Sequence, residues 1–255
     1  MSGPEAAGRP PITVSVVSHG HDELVARLLA QLRKFHGGLI AHVVVTHNLP
    51  SQAGAPMQAG GPFRVTEIRN AAPAGFGVNH NRAFEHCRTA HFCVLNPDIE
   101  IPDASIWSRL LEALRQPGVA CAYPALFNPD GTRQENEREV VTPMALVRRH
   151  VLKRGQRRVD WASAAFWLVR AEVWRDLKGF DERFFMYCED VDFCLRLQLA
   201  GWRLARADTA AVHDASWGSR SFGLHLAWHL RSILRLWGQP PIRRYLAIGR
   251  RPPRP

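Results

Sequence analysis

Four short apolar runs, separated by stretches of helical length or character, constrain this chain more than any other feature. ITVSVVS from Ile12, the run from Leu39 to Thr46, and HFCVLNPD from His91 are nearly continuous in β-branched and aliphatic residues, the pattern of strands covered on both faces. FRVTEI from Phe63 is a further strand, and 49–62, rich in Pro, Gly and Gln, is a surface loop. Between them, Leu24, Leu28, Leu29 and Leu32 recur at helical spacing, Gly75 to Cys87 reads as a glycine-led helix, and Asp103 to Leu114 as a helix whose acidic start complements its dipole. Strand alternating with helix predicts an α/β protein with a doubly wound, mostly parallel central sheet flanked by helices. At 255 residues and 46% hydrophobic, the chain can bury one large core. Such sheets bind ligands beyond the carboxyl ends of their strands, which directs attention to the turns carrying Ser18, Asn48, Asn96 and Asp98.

From Val119 the alternation loosens. CAYPALFNPDGT predicts a strand and an Asp-Gly turn, and ENEREVVTP opens a mixed-charge stretch that reaches Gln156 without periodicity. DWASAAFWLV predicts one more buried strand, followed by a short helix from Ala171 to Leu177, the strand WRLARAD, and a helix from Leu224 to Trp237.

The formal charge of +10 calls for an anionic partner, whether nucleic acid, anionic lipid or a phosphate-bearing substrate. The run Arg148, Arg149, Lys153, Arg154, Arg157, Arg158 reads equally as a phosphate contact and as a solvated basic face. Cys87, Cys93, Cys121, Cys188 and Cys194 are odd in number and lack paired metal spacing, so reduced thiols in a cytoplasmic protein are expected. The N-terminal MSGPEAAGRPP has no signal-like apolar core, and no run approaches the roughly 20 apolar residues that span a bilayer. Peripheral attachment stays open, because Leu226, Leu230, Ile233, Leu234 and Trp237 alternate with Arg231 and Arg235 ahead of the basic end RRPPRP. Docking of the same helix on the domain, basic face outward, accounts for that pattern equally well.

Chemistry concentrates in three places. Asn96-Pro97-Asp98 ends a strand, where a carboxylate can hold a hard cation that also touches phosphate; an Asx turn explains an isolated example as well. Gly75-Phe76-Gly77 with Asn79 and Asn81 lets backbone and amides approach a nucleotide, yet lacks both the third glycine of a dinucleotide fingerprint and a P-loop lysine. GFDERFFMYCEDVDFCLRLQLAG, Gly179 to Gly201, sets Glu189 and Asp190 after an aromatic run and before a helix, so that one carboxylate can act as a base or merely cap the helix. Asp192 has Arg196 at ion-pair spacing, a structural role. His213 follows a strand and has a nitrogen to offer the same cation, whereas His80, His86 and His91 read as surface or packing residues.

In this order, ITVSVVSHG, NAAPAGFGVNHNRAF, VLNPDIEIP, the Gly179–Gly201 segment and VHDASWGSRS resemble family 2 glycosyltransferases, particularly the rhamnosyltransferase-like branch, over roughly residues 12 to 237. The resemblance implies a single-domain GT-A fold, a nucleotide-sugar donor, a glycan or lipid-linked acceptor, and inverting transfer assisted by Mg²⁺ or Mn²⁺. It makes Asp98 the metal-binding acid of a modified DxD turn, Asp190 the general base with Glu189 beside it, and His213 a late ligand of the metal or diphosphate. Asn81, and more loosely Ser18 and Asn48, match positions around the nucleotide, with Gly75 and Asn96 in the same surroundings. It also divides the chain into a tail (1–11), a transferase domain (12–222, donor half 12–125 and acceptor half 126–222) and a C-terminal helix with basic tail (223–255). The chain departs from the family at Ser18-His19-Gly20 for Ser-Tyr-Asn, at Thr46-His47-Asn48 for Asp-Asn, and at Ala164 for a glycine. The competing readings are a nucleotidyltransferase, disfavoured because SHGHDE is not a glycine-rich basic loop, and a basic nucleic-acid-binding protein, for which no binding motif is present.

Overall fold

The computed structural model describes residues 11–50, 61–140, 158–215 and 222–248, with side chains of 222–227 and 248 left aside. The expected N-terminal tail, most of the 49–62 loop, the basic run up to Arg157, the part of VHDASWGSRS from Ser216, and the terminal RRPPRP lie outside those residues.

The elements are β1 (Ile12–Ser18), α1 (Asp22–Phe35), β2 (Ile40–His47), β3 (Arg64–Arg69), α2 (Phe76–Phe84), β4 (His91–Leu95), β5 (Ile99–Glu100), α3 (Ser105–Arg115), β6 (Val119–Phe127), β7 (Glu137–Arg138), β8 (Trp161–Ala162), β9 (Phe166–Arg170), α4 (Ala171–Asp176), α5 (Glu189–Leu199), β10 (Arg203–His213), α6 (Phe222–Gly238) and α7 (Pro240–Ile248). Eight strands form one sheet in the order β3-β2-β1-β4-β9-β6-β10-β5, and β7 pairs with β8 in a small ribbon. The pairs β1–β2, β1–β4, β2–β3 and β6–β10 are parallel, while β9 runs antiparallel to β4 and β6, and β5 antiparallel to β10. The mostly parallel sheet of the sequence reading is present, and the runs that contained no alternation are the strands buried on both faces.

One face packs Val14, Val16, Leu28, Leu32, Trp107 and Leu110 under α1 and α3; the other packs Phe92, Trp167, Trp174, Phe180 and Phe193 under α2, α4 and α5. A third cluster, with Phe184, Leu195, Leu236, Ile242 and Tyr245, joins α5 to the C-terminal helices.

Two elements differ from the sequence reading. DWASAAFWLV is not one strand: β8 leaves the main sheet, and the chain re-enters at Phe166. The break is held because Ser163 N–H donates to the Asn136 carbonyl and Asn96 N–H to the Ala165 carbonyl, contacts that draw residues 163–165 toward other segments. The C-terminal region contains a second helix, α7, ahead of the basic tail; Pro240 and Pro241 at its start fit the first turn, where no backbone N–H partner exists. Its Tyr245 reaches a buried polar knot, donating to Asp160 Oδ1 at 2.7 Å and to Gln198 Oε1 at 3.2 Å, with Arg158 Nε 2.8 Å from the same carboxylate. This knot ties α7 to α5 and to the chain entering β8.

Candidate active site

Two groups of polar residues meet near the carboxyl end of β4. The first is built on the turn after that strand. β5 pairs with the end of β10 so that Ile99 faces His213, and Asp214 N–H donates to the Asp98 carbonyl. This register sets His213 Nε2 3.4 Å from Asp98 Oδ1. Gln134, from the Asp-Gly turn region, grips His213 twice: its Nε2 donates to the His213 carbonyl at 2.8 Å, and its Oε1 lies 2.9 Å from Nδ1. With Nδ1–H directed to that oxygen, Nε2 keeps its lone pair, the tautomer a metal ligand requires.

Asp98 Oδ1 is buried and has no hydrogen-bond partner among the described residues. An orphaned carboxylate oxygen beside an oriented imidazole fits a divalent cation. Among the described residues no cluster of three or more His, Cys, Asp or Glu could hold a metal, so a cation held by this pair would take its remaining ligands from substrate phosphate oxygens and water, as is usual for Mg²⁺.

The second group is the start of α5. Tyr187 and Cys188, the two residues before it, both have left-handed backbone, with φ of 71° and 69°. Neither is glycine, so the turn is strained, and what lies around it must hold it. Three glycines allow that. A Cβ on Gly75 would meet the Phe185 carbonyl oxygen at 2.8 Å, one on Gly77 the Phe180 Cβ at 2.7 Å, and one on Gly179, itself at φ +64°, the Asn81 Oδ1 at 2.1 Å. The segment therefore lies directly on the N-terminal turn of α2, where Phe76 N–H donates to the Phe185 carbonyl and Asn81 brackets Phe180 through both its backbone N–H and C=O. Phe180 is locked among Trp167, Trp174 and Phe193, with ring centroids 4.8–5.8 Å away. Arg196 completes the clasp, pairing with Asp192 at 2.7 Å and donating to the Leu177 and Gly179 carbonyls.

Glu189 and Asp190 line a cavity of about 300 Å³ together with Phe76, Asn96, Arg138, Trp161, Ala164, Met186, Tyr187 and, from α6, His229 and Ile233. Burial raises the Asp190 carboxyl above the usual range for aspartate, opposed by N–H groups of Val191 and Ala164 and by the Arg138 charge. Burial raises Glu189 as well, and there the neighbouring Asp190 charge adds to the effect. Glu189 Oε2 has no partner among the described residues, whereas Val191 N–H donates to Asp190 Oδ1 at 2.8 Å. Two adjacent carboxyls in unlike surroundings divide the protonation states: Glu189 holds its proton more tightly, leaving Asp190 the better placed to ionise and act as base.

The remaining residues singled out in the sequence fall in different places. Asn96 lines the cavity and joins the two groups, since its N–H bonds Ala165 and the next residue back, Ala164, bonds Asp190. Ser18 accepts from His21 N–H and so holds the entry to α1. Asn48 stitches the strand ends to the loop before α2, accepting from Asn70 and Ala74 and donating to the Ala74 carbonyl. Asn81 and Gly75 brace the acidic segment through the contacts above, and neither is among the residues lining this cavity. Of the aromatic run, Tyr187 forms cavity wall beside Met186, Phe184 is buried in the third cluster and Phe185 turns outward. His80 is a packing residue, as expected: fully buried, 2.8 Å from Ser15 Oγ, and pushed by burial down to about 3. Sequence reasoning missed Gln134, which belongs to an aperiodic stretch, and Arg138 and His229, whose only signal was charge or ring chemistry amid many such residues.

Comparison with known proteins agrees with this arrangement. The model of the family described as "Glycosyltransferase like family 2" matches residues 10–233. The chain is 27% identical over 259 residues to the rhamnosyltransferase WbbL of Escherichia coli, covering 88% of this chain and 91% of that one. It is 33% identical over 159 residues to an N-acetylglucosaminyl-diphospho-decaprenol L-rhamnosyltransferase of Mycobacterium tuberculosis, over 54% of this chain and 52% of that enzyme. Among solved structures, the mannosyltransferase PcManGT of Pyrobaculum calidifontis, in complex with GDP-Man and Mn²⁺, superposes with a TM-score of 0.64 at 15% identity over 95% of this chain and 71% of the other. TarS 1-349 of S. aureus with UDP-GlcNAc gives 0.56 at 15% identity, covering 80% and 58%. These structures share the GT-A fold with this chain. The rhamnosyltransferase relatives agree with the branch to which its motifs are similar, and the chain belongs to glycosyltransferase family 2.

Proposed function

We propose that this enzyme transfers a sugar, rhamnose from dTDP-rhamnose as the leading donor, to a glycan or lipid-linked acceptor with inversion, using Asp190 as general base. The observation that carries the reading is the juxtaposition at the end of β4: an ionisable carboxylate at the cavity wall, linked through Ala164, Ala165 and Asn96 to the Asp98–His213 pair. In the transfer, Asp190 takes the proton of an acceptor hydroxyl as that oxygen bonds the anomeric carbon, while the bond from that carbon to the nucleoside diphosphate breaks on the opposite face. One displacement inverts the centre and needs no covalent nucleophile. Asp98 and His213 are the residues that would hold Mg²⁺ or Mn²⁺, which when bound offsets charge on the departing diphosphate.

The rhamnosyltransferase names of the relatives favour rhamnose, and the diphospho-decaprenol in one of them favours a lipid-linked acceptor. A cytoplasmic enzyme working at the inner membrane face suits such an acceptor. No helix among the described residues is long and apolar enough to cross a membrane, but peripheral contact is supported by the exposed Leu230, Leu234 and Leu246 (56%, 67% and 49%) on α6 and α7, beside Arg243 and Arg244. The stretch from Ser216 onward has eight Arg and no Asp or Glu. The test is a nucleotide-sugar panel with Mn²⁺, read by calorimetry and by NMR of the product anomer. Binding of dTDP-rhamnose above its competitors with an inverted product supports the reading; binding of none, or a retained anomer, overturns it.

A further inference from the structure

The helix α6 presents different residues to two hollows. His229, Ile233 and Leu236 line the catalytic cavity, while Trp228, Arg231, Ser232 and Arg235 line a second groove of about 330 Å³, closed on its far side by Arg183 and Phe185. The segment between the hollows alternates in the same way: Arg183 and Phe185 face the groove, Met186 and Tyr187 the cavity. Ser232 Oγ donates to the Met186 carbonyl at 2.8 Å, fixing the shared wall.

The chemistry of the groove is specific. Arg183 is pinned by a bidentate contact to Asp181 and a bond to Gln239 Oε1, and its carbonyl accepts from Arg235 Nη1. Among the described residues, Arg231 and Arg235 have no carboxylate partner and no acid lines the groove. Beside them the Phe185 ring, 40% exposed, leans on Trp228 at 5.2 Å between centroids. Guanidinium groups without a carboxylate partner, Arg235 retaining donors beyond its bond to the Arg183 carbonyl, next to an exposed Phe185 and a half-buried Trp228 suit a phosphate group that carries an apolar chain.

We infer that this groove holds the diphosphate of a lipid-linked acceptor, with the first part of its chain on Phe185 and Trp228, so that the sugar at the other end of the diphosphate reaches the cavity across the Phe185–Tyr187 wall. The inference rests on the acceptor class proposed above and assigns it a location.

The experiment measures calorimetric binding of decyl diphosphate in EDTA, which removes any contribution from a metal-bound diphosphate. Wild type and the double variant Arg231→Ala/Arg235→Ala are compared, with a thermal midpoint within about 2 °C as the control for folding. The expected result is saturable binding by wild type that weakens at least about tenfold in the variant. No binding by wild type, or equal binding by both, overturns the inference. Cosedimentation with phosphatidylglycerol vesicles separates the other source of lipid phosphate: a variant that loses vesicle binding while retaining decyl diphosphate affinity also overturns it, assigning the arginines to the bilayer. The failure of the donor panel to bind would strike the catalytic reading instead, because the groove is probed here without nucleotide or metal.

Discussion

The two polar groups of the site handle carboxylates in opposite ways. Asp98 lies on a strand-end turn beside an imidazole held in one tautomer, with a buried oxygen awaiting a partner. Asp190 sits at a strained helix start under apolar side chains, and burial pushes its carboxyl upward. A group suited to binding a cation offers an oxygen without a protein partner beside a second ligand atom, whereas a group suited to taking a proton has its affinity raised by desolvation. Under the proposed mechanism this difference sets Asp98 apart for cation binding and Asp190 for proton transfer.

The largest expected effect follows from that separation. Asp190→Asn keeps the size and the Val191 contact but cannot accept a proton, and the transfer rate is expected to fall about 10³-fold with donor affinity nearly intact. Asp98→Ala should do the reverse, weakening Mn²⁺-dependent nucleotide binding about 10–100-fold in a titration, and Gln134→Ala, which frees the His213 ring, should follow in the same direction with a smaller loss.

The pH dependence sharpens the comparison. The base works unprotonated, so activity should fall as pH drops through the raised Asp190 pKa, placing the acid limb of the rate profile above the roughly pH 4 of an ordinary aspartate. Stability shows the converse sign through Glu189. Its unfolded carboxyl releases the proton near pH 4 and the folded one well above, so the folded state binds more protons in that window and loses stability as pH rises. In Glu189→Gln the decline in melting temperature over that window should be smaller than in wild type. The smallest effect concerns the C-terminal support: Tyr245→Phe leaves Asp160 and Gln198 short of a donor and is expected to lower stability by about 1–2 kcal/mol in a denaturant titration.

How much of this was visible in the sequence differs between the two regions as well. The region around Asp98 is made of local signals: ITVSVVS, HFCVL and the Asn96-Pro97-Asp98 turn each declare themselves over a few residues, and the strands form where expected. The Gly179–Gly201 segment declared its acids and its Asp192–Arg196 pair for the same reason. Gln134 was not legible, because its value comes from contact with a residue 79 positions away. The break in DWASAAFWLV is set by hydrogen bonds to Asn96 and Asn136, which no periodicity encodes. The clasp of Asn81 on the Phe180 backbone, across 99 positions, is not readable from its place in a motif. The helix α7 left a signal that went unread, a Pro pair at its start with Ile242 and Tyr245 one turn apart on its buried side.

The division of labour between the two carboxylates is tested most directly by measuring, in one preparation of Asp190→Asn, the single-turnover transfer rate and the Mn²⁺-dependent nucleotide affinity. A rate lowered about 10³-fold with affinity within about threefold of wild type is the expected result. Turnover at the wild-type rate, or a loss of affinity as large as the loss of rate, would contradict the account.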